Sequence, residues 1–166
     1  MSAASGHLEC VRQLSSYNAS RIPKLVQLTL QRGHALVAAW LEHSAGWSPL
    51  HHLEQLSAER ARALLRAGAC MNALCGEARD RRPTPLERAQ TLGADVPVGA
   101  AAKLVLRAAK PWSPHNHDLF PASARAHAVA LLHIGILLSR SFGTASQSLM
   151  DAWHDVVMPM AVLRDV

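Results

Sequence analysis

The sequence predicts an all-α fold, and its composition is the first reason. Apolar residues make up 49% of the 166 residues, Ala and Leu recur in almost every segment, and there are only two Phe and one Tyr. Ala and Leu have high helix propensity, whereas the β-branched and aromatic residues that favour strands are scarce. The apolar fraction also argues against intrinsic disorder, and the length allows one domain with a hydrophobic core.

Two similar segments predict repeated helix starts and are the second reason. They read Ser48-Pro49-Leu50-His51 and Thr84-Pro85-Leu86-Glu87. A Ser or Thr hydroxyl caps the free N–H groups of a new helix, and the proline after it occupies the first turn, where no N–H is needed. We expect Leu50 and Leu86 to point into the core. Ser113-Pro114 repeats the cap-and-proline arrangement further along the chain.

The stretch between the two helix starts predicts a second helix that ends at Gly68. It reads Ala63-Leu64-Leu65-Arg66-Ala67-Gly68-Ala69-Cys70-Met71-Asn72-Ala73. Gly68 suits the left-handed residue that closes many helices, and Asn72 suits the turn that follows. With its helix starts, this segment resembles the ankyrin repeat, whose signature joins a Thr-Pro-Leu-His helix start to a second helix ending in Leu-Leu-x-x-Gly-Ala-Asp-Val-Asn-Ala.

Weaker copies extend this resemblance from Gly6 to about Lys110. The second-helix opening Gly-His-x-x-x-Val-x-x-Leu occurs at 6–14 and recurs at 33–41 with its valine, Val37, one position earlier. Pro23 to Gln31 is the expected short helix between them. The resemblance implies an α-solenoid of about four helix-turn-helix units. Their approximate bounds are 1–20 (partial), 21–46, 47–82 and 83–110, followed by a C-terminal helical extension, 111–166, that acts as the cap. Because the chain begins inside a unit, we expect missing sequence or another chain to cover that open edge.

The C-terminal extension contains two further predicted helices. The first runs from Phe120-Pro121 to about Ser139 and is apolar on most of its circumference, so we expect it to be buried on more than one side. In the second, which Pro159 should kink or end, one apolar stripe comprises Leu149, Ala152, Trp153, Val156, Val157 and Met160. This part is similar to predicted ankyrin-repeat proteins of unicellular algae such as haptophytes, a resemblance that implies no activity.

The cysteines and the N-terminus predict a soluble, cytoplasmic protein of a reducing compartment. Three cysteines form no disulfide framework, and no apolar signal region or basic transit helix opens the chain. The apolar stretch from Ala128 to Leu138 is shorter than the roughly 20 residues that cross a bilayer, so we predict no membrane span.

The net charge of +5 raises the question of nucleic acid. The one dense basic cluster, Arg79, Arg81 and Arg82, is interrupted by Asp80 and lacks interleaved aromatic residues. A solvated basic loop is the favoured interpretation. Association with nucleic acid or an anionic surface stays open as an alternative, and its affinity should fall steeply with salt.

No motif predicts an enzyme, a cofactor or a metal site. Adjacent side chains such as His51 and His52 diverge on a helix, and the close grouping of His115, His117 and Asp118 is not completed by a cysteine pair. Cys70 and Cys75 are interpreted as small, partly buried thiols. A nucleophile elbow, a phosphate loop and a dinucleotide fingerprint are all absent from the sequence.

The remaining signal is a binding surface. In the ankyrin family, the residue before the Thr-Pro start and the exposed side of the first helix commonly contact partners, and the resemblance therefore implies partner contacts at Trp47, Gln55, Arg81, Arg82 and Arg88. Trp47 has two interpretations, an interface anchor or a side chain packed over Leu50 and the neighbouring unit. We predict a protein–protein interaction scaffold of unknown partner, with a structural subunit of a larger assembly as the alternative.

Overall fold

The described part of the chain is helical, in agreement with the predicted all-α class. A computed structural model describes residues 2–17, 24–75, 82–93, 101–142 and 146–164, and these ranges contain no β-strand. The α-helices are α1 (Ser2–Ser16), α2 (Leu25–Gln31), α3 (Ala35–His43), α4 (Ala58–Arg66), α5 (Pro85–Gly93), α6 (Ala101–Ala108), α7 (Ala122–Ser141), α8 (Ser146–Ala152) and α9 (Met158–Ala161). Two 3₁₀ turns, Pro49–His51 and His117–Leu119, and a π-helical turn, Trp153–Val157, connect them.

The helices pack mainly on their neighbours in the sequence. Helix α2 packs on α3, α5 on α6 and α7 on α8, while α4 packs on α6 and so joins two successive pairs. Asn18-Ala19-Ser20 stands where Gly-Ala-Asp would close the first unit of the repeat that the sequence resembles, and it lies outside the described residues.

Two groups of buried apolar side chains form the core. The larger one contains Leu50, Leu65, Val105 and Leu119, each fully buried, with Leu86 packed against it. The smaller one lies in the C-terminal part and contains Trp112, Phe120, Ala124, Ala128, Met158 and Val162. Leu50 and Leu86 therefore face the core, as predicted.

The three cap-and-proline segments form the same hydrogen bond. In each, the side chain at the fourth position accepts the N–H of the first: His51 Nδ1 from Ser48 (3.0 Å), Glu87 Oε2 from Thr84 (2.8 Å) and Asn116 Oδ1 from Ser113 (2.7 Å). After Thr84 a full helix follows. After Ser48 only one 3₁₀ turn forms, shorter than the predicted helix, because the chain turns again at His52 and a new cap at Ser57 starts α4.

Gly68 has the left-handed backbone that the sequence predicted. Its φ is +82°, and it follows the end of α4 by two residues. The Gly68 N–H donates to Leu65 O and the Ala69 N–H to Leu64 O, so the last carbonyls of α4 find partners.

The prediction that α7 is buried on more than one side is wrong. Its buried residues are three small ones, Ala124, Ala128 and Gly135. Its large apolar residues Val129, Ile134, Ile136, Leu137 and Leu138 are 40–62% exposed. Within the described ranges the segment from α8 to α9 is what packs along α7, and it covers one side only.

The length argument against a membrane span also fails. Helix α7 has 20 residues, nearly twice the 128–138 stretch, and over an 18-residue window its mean hydropathy is 1.4 with 17% of the window buried. By length and composition alone this helix is able to cross a membrane, a test that core helices of soluble proteins also pass.

The predicted apolar stripe of the last helix is wrong at three of its six positions. Leu149, Trp153 and Val157 are half-buried, whereas Ala152 is exposed. Val156 and Met160 are exposed, and Met158 and Val162 are buried in their place. A π-helical turn has more residues than an α-turn, so the inward face shifts along the sequence after 153–157. Pro159 has no N–H to donate to the preceding turn, and the helix ends at Ala161.

Candidate functional site

Trp47 lies in the turn after α3, and its indole ring contacts one arginine and three histidines. The ring stacks on His51, with centroids 5.8 Å apart and planes 16° from parallel. The guanidinium carbon of Arg88 lies 4.4 Å from the ring centroid, a cation–π contact. His43 and His52 contact the ring at steeper angles, at 5.3 Å each. Trp47 is therefore packed against α5 while part of its surface stays accessible.

Arg88 is held in this position by two further contacts. It is in α5, and its Nε donates to the backbone carbonyl of His51 at 3.0 Å. Its second terminal nitrogen lies 3.3 Å from a carboxylate oxygen of Glu54. The guanidinium is thus part of the contact between α5 and the segment from Trp47 to Glu54.

A cleft of about 160 Å³ lies beside these residues. It is lined by Arg12, Trp40, His43, Trp47, His52, Glu54, Gln55 and Arg88. The indole nitrogen Nε1 of Trp47 is buried and has no hydrogen-bond acceptor among the described residues. An unpaired buried donor costs roughly 1–3 kcal/mol.

Three of the five predicted partner contacts, Trp47, Gln55 and Arg88, line this cleft together. Arg82 does not. Its guanidinium donates to carbonyls at the end of α3, to Glu42 O at 2.9 Å, to Ala45 O at 3.2 Å and to His43 O. A cation at a helix C-terminus is favourable there, so Arg82 fastens its loop to α3.

The predicted basic cluster is not assembled by the described residues. Arg79 and Arg81 lie outside the described ranges. Arg82 is bound to α3, and its N–H donates to Cys75 O at 3.4 Å in an isolated antiparallel bridge.

Cys75 and His51 form a buried pair beneath Trp47. His51 Nε2 lies 3.1 Å from Cys75 Sγ, which in turn donates to the carbonyl of Gly46 at 3.0 Å. Burial lowers the pKa of His51 to about 4, and burial raises the pKa of the Cys75 thiol. Both shifts favour the neutral forms, opposite to the thiolate–imidazolium pair that nucleophilic cysteines need. The arrangement suits structural hydrogen bonding.

The His115, His117 and Asp118 grouping is dispersed. His115 is exposed, while His117 Nδ1 accepts the indole N–H of Trp112 at 3.1 Å, and burial lowers the pKa of His117. Asp118 pairs with Arg107 at 3.1 Å and with Arg62 at 3.4 Å. Across the described ranges, no three His, Cys, Asp or Glu side chains gather to hold a metal.

Of the other cysteines, Cys70 is exposed, contrary to the expectation of a partly buried thiol. It follows Gly68 at the end of α4, where little packs over it.

Sequence reasoning missed the other residues of the cleft: Arg12, Trp40, His43, His52 and Glu54. Arg12 and His43 come from α1 and α3, which pack together near the 3₁₀ turn at 49–51. No local pattern marks such residues, because their proximity depends on how successive helices pack.

Comparison with known proteins adds no relative. No protein-family model, no curated protein and no solved structure matches the chain.

Proposed function

We propose that the chain is a non-catalytic protein-recognition module built from ankyrin-like helical units. Three cap-and-proline segments with equivalent hydrogen bonds, successive packed helices and the left-handed Gly68 support the ankyrin-like interpretation. Arrays of this kind bury core against neighbouring units and leave a row of turns and helix faces for partners.

The observation that carries the proposal is the Trp47 cleft. Trp and Arg are the residues most enriched at energetically important interface positions, and here they are already held rigid by stacking. A rigid aromatic anchor loses little conformational entropy on binding. The unpaired indole N–H is buried, so it would donate to a carbonyl or carboxylate of the partner only where a side chain of the cleft moves aside.

The experiment uses a photo-crosslinking amino acid at one of two glutamines. Gln55 lines the cleft, whereas Gln90 is exposed on α5 outside it and is the matched control. The purified chain is exposed to lysate of its source cell, irradiated and washed at high salt. We expect a discrete protein to crosslink at position 55 and not at 90.

A second variant tests the indole itself. Trp47→Phe keeps an aromatic ring in contact with His51 and Arg88 but removes the N–H. We expect helicity by circular dichroism to be unchanged and crosslinking at position 55 to decrease. The proposal would be contradicted if positions 55 and 90 crosslinked the same proteins. It would also be contradicted if Trp47→Phe left crosslinking at position 55 unchanged. Retention of nucleic acid at low salt only would favour the basic-loop alternative.

A further inference from the structure

Helix α7 presents a wide apolar surface that the described part of the chain leaves uncovered. The helix has 20 residues, about 30 Å at 1.5 Å per residue. Its contact with the following segment runs along Ala124, Ala128 and Gly135, with Trp153 against the glycine. Its exposed large apolar residues are Val129, Ile134, Ile136, Leu137 and Leu138, and Phe142 follows them at the helix end. We call these six residues the α7 apolar surface.

The width of this surface restricts what covers it. At 100° per residue, its helical members spread over about 200° of the helix circumference. The exposed side chains of His127, His133 and Arg140 fall within the same arc, so polar groups interrupt the surface. The apolar stripe that one packed neighbour covers is about 100° wide. A second copy docking helix on helix would therefore leave about half of the surface in water, whereas lipid adapts to its whole width.

Charge also favours lipid. No Asp or Glu occurs from residue 119 to residue 150, while Arg125 and Arg140 lie near the two ends of α7. Basic residues flanking an apolar helix complement the anionic head groups of a membrane surface. Two copies meeting through this face would bring like charges together.

The acidic residues that follow α7 in the sequence lie in the segment that packs on the side of α7 opposite its apolar surface. Asp151 and Asp155 are exposed in α8 and the π-helical turn, the segment that packs against the small residues of α7. With the α7 apolar surface in the acyl chains, these carboxylates stay on the water side.

We propose that the α7 apolar surface binds a lipid bilayer, with α7 lying along the membrane surface and α8 and α9 facing water. The proposal is independent of the protein-recognition proposal, because it uses neither Trp47 nor its cleft. It adds a membrane surface as the place where the chain acts.

The test is vesicle flotation of the full purified chain. Vesicles of phosphatidylcholine alone and of phosphatidylcholine with phosphatidylserine are each used at low and high salt. We expect the chain to float with both, more strongly with the anionic vesicles, and to stay bound at high salt because apolar insertion is little screened. Leu137→Asp and Ile134→Asp should each lower the partition coefficient about tenfold or more.

Ser148→Asp is the matched control. It adds the same charge to an exposed position of α8, the segment that the proposal places on the water side, and should leave flotation unchanged. Both test positions are exposed, so helicity should be equal in all variants.

Three outcomes would overturn the proposal. In one, the wild-type chain stays in the soluble fraction with both vesicles. In the second, Leu137→Asp and Ser148→Asp float equally well, which would mean that charge alone drives binding. In the third, sedimentation gives a dimer that Leu137→Asp dissociates while vesicles capture nothing, which would make a second copy the occupant.

Discussion

The imidazole of His51 is fully buried and uses both of its nitrogens, one for the Ser48 N–H and one facing the Cys75 sulfur. Desolvation is the main cause that lowers its pKa from 6.5 to about 4, and Arg88 adds to the shift. Above pH 6.5 both the folded and the unfolded chain hold a neutral imidazole. Between 6.5 and about 4 the unfolded chain takes up a proton that the folded chain does not, so stability falls as the pH falls.

The first prediction concerns the pH dependence that His51 causes. Between pH 6.5 and about 4 the free energy of unfolding of the wild-type chain should fall by on the order of 3 kcal/mol, since one pKa unit is about 1.4 kcal/mol. In His51→Asn the amide accepts the Ser48 N–H, as Asn116 does in the third cap, and cannot titrate. Urea unfolding of both chains at neutral and mildly acidic pH measures the difference. An equal loss of stability in the two chains would show that His51 titrates freely.

A second prediction at this scale concerns Gly68. Gly68→Val should lower the free energy of unfolding by about 1 kcal/mol or more, because a β-branched residue is strained at a φ of +82°. The nearest atom to an added Cβ is 3.9 Å away, so the loss comes from the backbone and not from a clash. Ala67→Val, at an ordinary φ of −79° and also exposed, is the control. Equal melting temperatures for the two variants would refute the assignment.

At the scale of elements, the contact between α7 and the π-helical turn depends on Gly135, a residue without a side chain. A Cβ at Gly135 would lie 2.8 Å from Cδ1 and Nε1 of Trp153, well inside van der Waals contact. The indole N–H donates to the carbonyl of Leu131 at 3.1 Å, which holds the ring over the glycine. Gly135 is thus the position at which the two segments approach most closely.

The sign of the change in the free energy of unfolding of Gly135→Ala therefore tests this close approach. On an open helix this change stabilises by about 1 kcal/mol through helix propensity. Here the clash should outweigh that gain and destabilise the chain by about 1–3 kcal/mol. Thermal unfolding of Gly135→Ala, Trp153→Leu and the double variant measures the coupling. If Gly135→Ala raises the melting temperature in the Trp153 background, the close approach is absent in solution.

Elements with local causes were predictable from the sequence. The caps at Ser48, Thr84 and Ser113 and the close of α4 at Gly68 depend on residues within four positions of each other. The exposure of α7 was not predictable, because periodicity identifies apolar faces without showing what covers them. The register shift after Trp153 depends on a π-helical turn, and no periodic pattern signals such a turn.

At the scale of the whole molecule, Arg164 joins the two cores. Its guanidinium donates to Leu65 O in the larger core at 2.7 Å and to Leu119 O at 2.9 Å, and it lies 5.4 Å from the centre of the Phe120 ring. Arg66 adds a parallel link from α4 to the Asp118 carbonyl at 2.7 Å. The C-terminal segment is thereby fastened to the helices that precede it.

We expect Arg164→Met to lower the free energy of unfolding by about 1–3 kcal/mol, since it leaves part-buried carbonyls without their charged donor. Arg140→Met, on the exposed side of α7, removes the same charge without such contacts and should have little effect. Denaturant unfolding followed by tryptophan fluorescence compares them. Equal midpoints for the two variants would mean that Arg164 does not couple the cores.

The candidate site was partly predictable at this scale. Trp47 follows from the position that resembles a repeat tip, and Gln55 and Arg88 follow from the exposed side of the first helix in the repeat that the sequence resembles. The use of Arg82 to bind the end of α3 does not follow, because its acceptors are backbone carbonyls that lie far away in the sequence.

The burial of Cys75 has a consequence for measuring motion in this protein. Cys10 and Cys70 are exposed, so a thiol reagent reaches them at once, whereas Cys75 lies under the turn that carries Trp47. Labelling of Cys75 therefore requires that turn to open, and its rate in a chain with Cys10→Ser and Cys70→Ser reports the opening frequency. A ligand that occupies the Trp47 cleft should slow this reaction, so the chain carries its own assay for a partner yet to be identified.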